Sequence, residues 1–277
     1  MLDSAQNSLT KSTFASHTRK LAAIQKRPIY KVFSTICWFH ELQLTIGAST
    51  AAAVRRKIEP TLKNGNKVVD QRWCDYRDGL HTPSAKVIAL AEDHCPQSRH
   101  ILENPLWDSI RLDRSPQNVA HELLGATCQQ GDDLLTWSLR APDRRSYDPR
   151  WLKKRCRAMI EDGSLEGLAV LTTCMRLAGK AGADRSALSF YRHATNNLLI
   201  LGSWFYAHGI AQRIAEYYET VLFPESIQDP NLGTFSSSHY LHAVKGLNNA
   251  VLRAQAQTER TLTDKEVILI KLQILEL

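Results

Sequence analysis

Apolar residues along this chain recur three and four positions apart and hardly anywhere alternate with period two, so the pattern predicts helices and an all-α fold. A dense run over residues 30–44, containing Phe33, Ile36, Trp38, Phe39 and Leu42, predicts a buried opening helix that ends near Gly47. A second helix is expected over residues 50–63, carrying the basic triplet Arg55-Arg56-Lys57. Farther on, Pro96, Pro105 and Pro116 divide the chain into short pieces, which leaves residues 101–112 as a connector anchored by Leu106 and Trp107. The segment RLDRSPQN reads as a domain boundary, separating a helix-turn-helix-like domain over 29–114 from a helical domain over 115–277.

Beyond that boundary the period predicts helices over 119–140, 151–161, 164–177, 184–201, 204–223 and 239–257. Asp148-Pro149 and Ser164 supply start signals, Gly179 a stop, and Thr263-Asp264-Lys265-Glu266 a capping box ahead of the closing run VILIKLQILEL. On a helix that run is apolar nearly all round, so it is expected to be buried either in its own domain or against a second copy of the chain. There is no fixed-period repeat of the kind a solenoid shows.

The most informative stretch is VVDQRWCDYRDGLHTPSAKVIALA, residues 68–91. Val69, Trp73 and Tyr76 fall at i, i+4 and i+7 and are expected to face a core, leaving Asp70, Gln71, Arg72 and Asp75 outward. Gly79 suits the left-handed conformation that ends a helix, and Pro83 suits the first turn of the next, where its missing N–H has no partner to lose. The second helix then buries Val87, Ile88, Leu90 and Ala91.

Over residues 50–95 this arrangement resembles the recognition-helix half of lambda-repressor-like (XRE/Cro) helix-turn-helix proteins. An aromatic residue (Tyr76), two polar residues, Gly79, three variable residues and Pro83-Ser84 stand at the family spacing. The resemblance implies a transcriptional regulator of double-stranded DNA, of the phage- or defence-associated kind, acting as a homodimer on paired half-sites. A helix in the major groove needs side chains that donate and accept in pairs, so Gln71 and Arg72 are the expected base readers, with Asp75 orienting them or meeting a base edge. Arg55, Arg56, Lys57, Lys63 and Lys67 are the expected phosphate contacts. Upstream the chain departs from the family: Pro60 interrupts the supporting helix, and Lys63-Asn64-Gly65-Asn66-Lys67 makes a longer, turn-rich link. The competing reading is an ordinary helical hairpin with a solvated charged face, which makes the protein a helical interaction or scaffold module.

Charge adds asymmetry to this picture. The formal net charge is +7, but residues 1–72 hold 12 basic and 4 acidic residues whereas 73–139 hold 5 and 10. Positive charge therefore lies ahead of and within the proposed reading helix, as phosphate contact or any other anionic partner requires. The first 28 residues are polar and basic with Asp3 their sole acid, and read as a disordered tail or basic arm. A second basic run, RAPDRRSYDPRWLKKRCR, holds eight basic residues against two acidic ones, and reads as a solvated helix face over a stripe of Trp151, Leu152, Cys156 and Met159.

Six cysteines, at 37, 74, 95, 128, 156 and 174, form no CxxC pair, which argues against a metal site or a disulfide scaffold and fits reduced thiols in a cytoplasmic protein. No segment has the unbroken apolar length of a membrane helix, so no membrane partner is expected. Neither a phosphate loop, HExxH nor GxSxG occurs, and neither a catalytic role nor a cofactor is expected. Arg114 and His121 match the RxxxxxxH spacing of the HEPN nucleases, a third and weaker reading, because chance pairs of Arg and His at that spacing are expected in a chain of this composition.

Overall fold

A computed structural model describes residues 27–60, 67–140, 148–227 and 235–275, with only the backbone described over 67–70. Residues 1–26 of the expected tail over 1–28 lie outside the described residues, as do Lys63 and the side chain of Lys67. The fold class is all-α, and no strand occurs among the described residues. The chain divides into two compact units, Met1–Glu103 and Asn104–Leu277.

The first unit contains α1 (Ile29–Ile46), α2 (Ala51–Ile58), α3 (Lys67–Arg77), α4 (Ala85–Glu92) and α5 (Ser98–Leu102). Gly47 closes α1 in the left-handed conformation at φ 65°, its N–H bonding back to the Leu44 carbonyl. Thr50 opens α2 by accepting from the Ala53 N–H, and Ser84 opens α4 by accepting from the Val87 N–H. The second helix is shorter than its periodicity suggests. It stops at Ile58, with Glu59 as its C-cap and Pro60 next, since proline cannot lend an N–H to a continuing helix.

An aromatic triad holds this unit together. Trp38 of α1 stacks on Trp73 of α3 with centroids 6.1 Å apart, and Tyr76 meets both edge-on at 5.7 and 5.5 Å. Trp73 is 0% and Tyr76 3% exposed, as expected of the core face of α3, while the side chain of Val69, its third expected member, lies outside the described residues. Leu42, Val54, Ile58, Val87 and Ala91 complete the cluster. Gly79, at φ 73°, ends α3, and a Cβ there would lie 2.8 Å from Val32 Cγ1, so close approach and backbone conformation both require glycine.

The second compact unit begins at Asn104, ahead of the expected 114/115 boundary. The reason is visible in α6 (Leu106–Ser109), which follows Pro105 and buries Leu106 and Trp107. Arg176, on α10, donates to the carbonyls of Ser109 at 2.8 Å and Arg114 at 3.2 Å, and the Tyr217 hydroxyl donates to the Ile110 carbonyl at 2.9 Å. The connector thus belongs to this unit's interior.

The helices that follow are α7 (Pro116–Leu123), α8 (Gln129–Leu139), α9 (Pro149–Glu161), α10 (Leu165–Lys180), α11 (Asp184–Ile200), α12 (Gly202–Ala207) and α13 (Ala211–Tyr217). A π-helical turn, Tyr218–Leu222, leads into α14 (Phe223–Ser226), then α15 (Ser237–Thr258) and α16 (Asp264–Ile274). Two of these breaks fall inside spans expected to be continuous. Gly125, at φ 79°, separates α7 from α8, and Asp132 fastens the turn by accepting from the Gly125 N–H and the Thr127 hydroxyl. Gly209, at φ 71°, separates α12 from α13. The start signals operate as expected at Asp148, Ser164 and the Thr263–Glu266 capping box, whereas α10 runs through Gly179 to Lys180.

The closing helix α16 is only partly covered by its own unit. Leu272 is 1% exposed, and buried Lys271 donates from Nζ to the Ile200 carbonyl at the end of α11, at 3.0 Å, and to the Ser203 hydroxyl on α12, at 3.1 Å. Leu269 and Ile274, by contrast, are 41% and 49% exposed. Among the described residues no helix is long and apolar enough to cross a membrane.

Candidate nucleic-acid interface

The outward surface of the first unit is set by the way α3 turns its aromatic side inward. With Trp73 and Tyr76 buried, Gln71 is exposed, and Arg72 and Asp75 stand at the margins of the same face. Gln71 Nε2 donates to Asp75 Oδ1 at 2.8 Å, one turn along the helix. The other Asp75 oxygen lies 3.6 Å from His81 Nε2, in the turn after Gly79. Asp75 therefore accepts from Gln71 and stands beside His81.

Arg72 is held by a residue the sequence motif does not contain. Its Nη2 donates to both oxygens of Glu59, at 2.8 and 2.7 Å, and the neighbouring Trp73 indole N–H donates to Glu59 Oε2 at 2.8 Å. Glu59 is 11% exposed and Arg72 37%, so the pair is shielded on the carboxylate side and open on the guanidinium side. The Arg72 Nε–H is buried with no acceptor among the described residues. Burial, the larger cause, raises the Tyr76 phenol above its ordinary value, and Arg72 opposes the shift, which places the cation beside that ring.

The expected phosphate contacts separate. Arg55 is 3% exposed and forms part of the interior side of α2, which removes it from the surface a phosphate could reach in this conformation. Arg56 and Lys57 are exposed, and Lys57 Nζ donates to the Ile46 carbonyl at 2.8 Å. Adjacent helical positions point about 100° apart, so three consecutive cations cannot share one face. Lys63 and the Lys67 side chain fall outside the described residues.

Sequence reading also passed over Arg27. Its guanidinium donates to the Gly79 carbonyl and, at 2.6 Å, to the Thr82 hydroxyl, and burial lowers its pKa from the ordinary arginine value. The residue at the start of the described chain is thereby tied to the turn between α3 and α4. No local signal announces this contact, because the partners are 55 positions apart.

The other candidate chemistry does not assemble. Arg114 pairs with Asp108 at 3.1 Å and with Glu122, while His121 is exposed, and no bond joins the two among the described residues. Cys37, Cys156 and Cys174 are buried, and burial, the first cause in each case, pushes their thiols up, Cys174 to about 12. Such thiols are poor nucleophiles. No group of three or more His, Cys, Asp or Glu side chains among the described residues is placed to hold a metal ion.

No family model, curated protein or solved structure matches this chain.

Proposed function

We propose that this protein reads double-stranded DNA, with α3 entering the major groove, Gln71 and Arg72 as base readers, and Asp75 as the acceptor that orients Gln71. The observation carrying this reading is the fixed pair on one helix face: an amide held by Asp75 and a guanidinium held by Glu59, next to the buried aromatic triad. Preorganised donors of this kind lose less conformational freedom on meeting a base edge. Arg56 and Lys57 supply phosphate neutralisation from α2, with Lys63 and Lys67 as further candidates in the same stretch of sequence. Homodimer formation belongs to the same reading, since two half-sites call for two reading helices, and the exposed Leu269 and Ile274 of α16 are the apolar residues it would use.

Selection of bound duplexes from a randomised library, followed by affinity measurements across a salt series, tests the reading. Binding is expected to weaken linearly in log salt, with Arg72→Ala relaxing preference at one base position at a cost of about 1–3 kcal/mol. Arg56→Gln with Lys57→Gln should weaken all sequences alike. Enrichment of no sequence, or equal base preference in Arg72→Ala and the parent, would leave the helical interaction module as the better account.

A further inference from the structure

The basic run near residue 150, expected to be a solvated helix face, acquires a definite geometry on α9. Arg150, Lys153, Lys154 and Arg157 are all exposed and stand at i, i+3, i+4 and i+7, a single stripe opposite buried Leu152, Cys156, Met159 and Ile160. Two contacts fix this register: Arg155 pairs with Asp133 at 2.9 Å and lies over the Trp151 ring at 6.0 Å. Arg157 shares an exposed i,i+4 pair with Glu161 at 2.8 Å, an interaction easily exchanged for another anion. Among the described residues Arg150, Lys153 and Lys154 have no acidic partner.

That stripe is unfavourable for an isolated helix on two counts. Neighbours at i,i+3 and i,i+4 carry like charges, each pair destabilising by a few tenths of a kcal/mol. Apart from the Asp148 N-cap the first turn of α9 contains no acidic residue, so a single carboxylate stands at the end where Arg150 and the helix dipole are both positive. A second helix adds to the field: α11 packs against α9 and carries exposed Arg192, and Lys153 and Arg192 both oppose protonation of buried His193, after the larger effect of burial. A multiply anionic partner relieves all of these repulsions together.

We propose that the second unit has its own binding surface for the phosphate backbone of double-stranded nucleic acid, formed by Arg150, Lys153, Lys154 and Arg157 of α9 with Arg192 of α11 at its flank. The stripe runs about 10 Å along the helix axis, which matches roughly three phosphates of one strand. A bilayer is a poorer fit, because the apolar face that an interfacial helix needs is already buried in the unit's core. Single strands are a poorer fit as well, since Trp151, the aromatic residue of α9, is taken up beneath Arg155 and against Trp137 at 5.9 Å and is not free for bases to stack on. The surface contains no base-reading pair, so it binds without sequence preference and does not depend on base reading by α3.

The experiment uses the full chain, a labelled duplex of random sequence and a salt series. Arg150→Gln, Lys153→Gln, Lys154→Gln and Arg157→Gln combined should bind more weakly and flatten the log–log slope by roughly 0.9 for each cation that meets a phosphate, with the thermal transition retained. Arg150→Lys with Arg157→Lys should keep the parent slope, because neutralisation needs charge and not a guanidinium fork. Arg253→Gln, at an exposed cation of α15 outside both surfaces, is the charge control and should leave this random-sequence slope unchanged; the α3 reading fails on base preference instead, so the two failures are distinguishable. The proposal is overturned by a quadruple variant with the parent's affinity and slope, by absence of duplex binding at low salt, or by phosphatidylserine vesicles displacing the duplex at equal charge.

Discussion

Glu59 receives hydrogen bonds from two consecutive residues of α3: the Arg72 guanidinium, at 2.8 and 2.7 Å, and the Trp73 indole, at 2.8 Å. One carboxylate therefore fixes a surface cation and satisfies a buried donor at once. Pro60 contributes by ending α2 where Glu59 can turn toward α3.

Replacing Glu59 by Ala leaves the Trp73 N–H without its acceptor inside the aromatic triad, and an unsatisfied buried donor costs about 1–3 kcal/mol. Glu59→Gln keeps an acceptor and should lose less. Denaturant melts of both variants check the order, and equal losses would mean that the charge on Glu59, rather than its hydrogen bonds, sets the stability.

Gly79 and Gly47 both have positive φ, 73° and 65°, but only at Gly79 does an added Cβ meet another atom within 4 Å, Val32 Cγ1 at 2.8 Å. Gly47→Ala is expected to cost about 1–2 kcal/mol for the left-handed backbone alone. Gly79→Ala adds overpacking of about 1–3 kcal/mol. Thermal melts of the pair separate the two effects, and a Gly79→Ala loss no larger than that of Gly47→Ala would show that α1 relaxes freely.

Arg176 is 3% exposed and closes the carbonyls of Ser109 and Arg114 onto α10, with Glu225 3.6 Å away. Arg176→Met fills much of the volume but leaves those two acceptors unpaired, at about 1–3 kcal/mol each where they are buried. Hydrogen exchange should show faster opening over residues 104–114 than over α10 in this variant; uniform exchange would mean that the segment is held without Arg176, by Leu106, Trp107 and the Tyr217 hydrogen bond to Ile110.

His193 is 7% exposed, with Nδ1 2.7 Å from the Ser189 carbonyl and Nε2 buried without a partner among the described residues. Burial first, and then Lys153 and Arg192, lower its pKa from 6.5, outweighing the Ser189 hydrogen bond. The unfolded chain therefore binds the proton more readily than the folded one. Stability is fully present above about pH 6.5 and declines as pH falls from there toward the lowered folded value. A chemical-denaturation series across this range should show the decline in the parent and a smaller one in His193→Gln; matching profiles would assign it to other groups.

What could be read from the sequence was local. The helical period, the caps at Asp148, Ser164 and Thr263, the left-handed stop at Gly79 and the inward face of Trp73 and Tyr76 depend on groups within about one helical turn. Gly125 and Gly209 escaped notice because glycine is tolerated inside a helix as well as at its end, and only the turn that forms around it decides which.

The sequence by itself determined the all-α class and the presence of a face carrying Gln71, Arg72 and Asp75, since both follow from periodicity. Tertiary structure alone decided what holds that face. Arg72 meets Glu59 from 13 residues away, Arg27 meets Thr82 from 55 and Arg176 meets Ser109 from 67. It also buried Arg55 while leaving Arg56 in solvent, although the two are chemically alike. The physical reason is the same throughout: backbone groups in a helix find partners four residues away, whereas a side chain's partner is whichever residue the packing of another helix brings within reach.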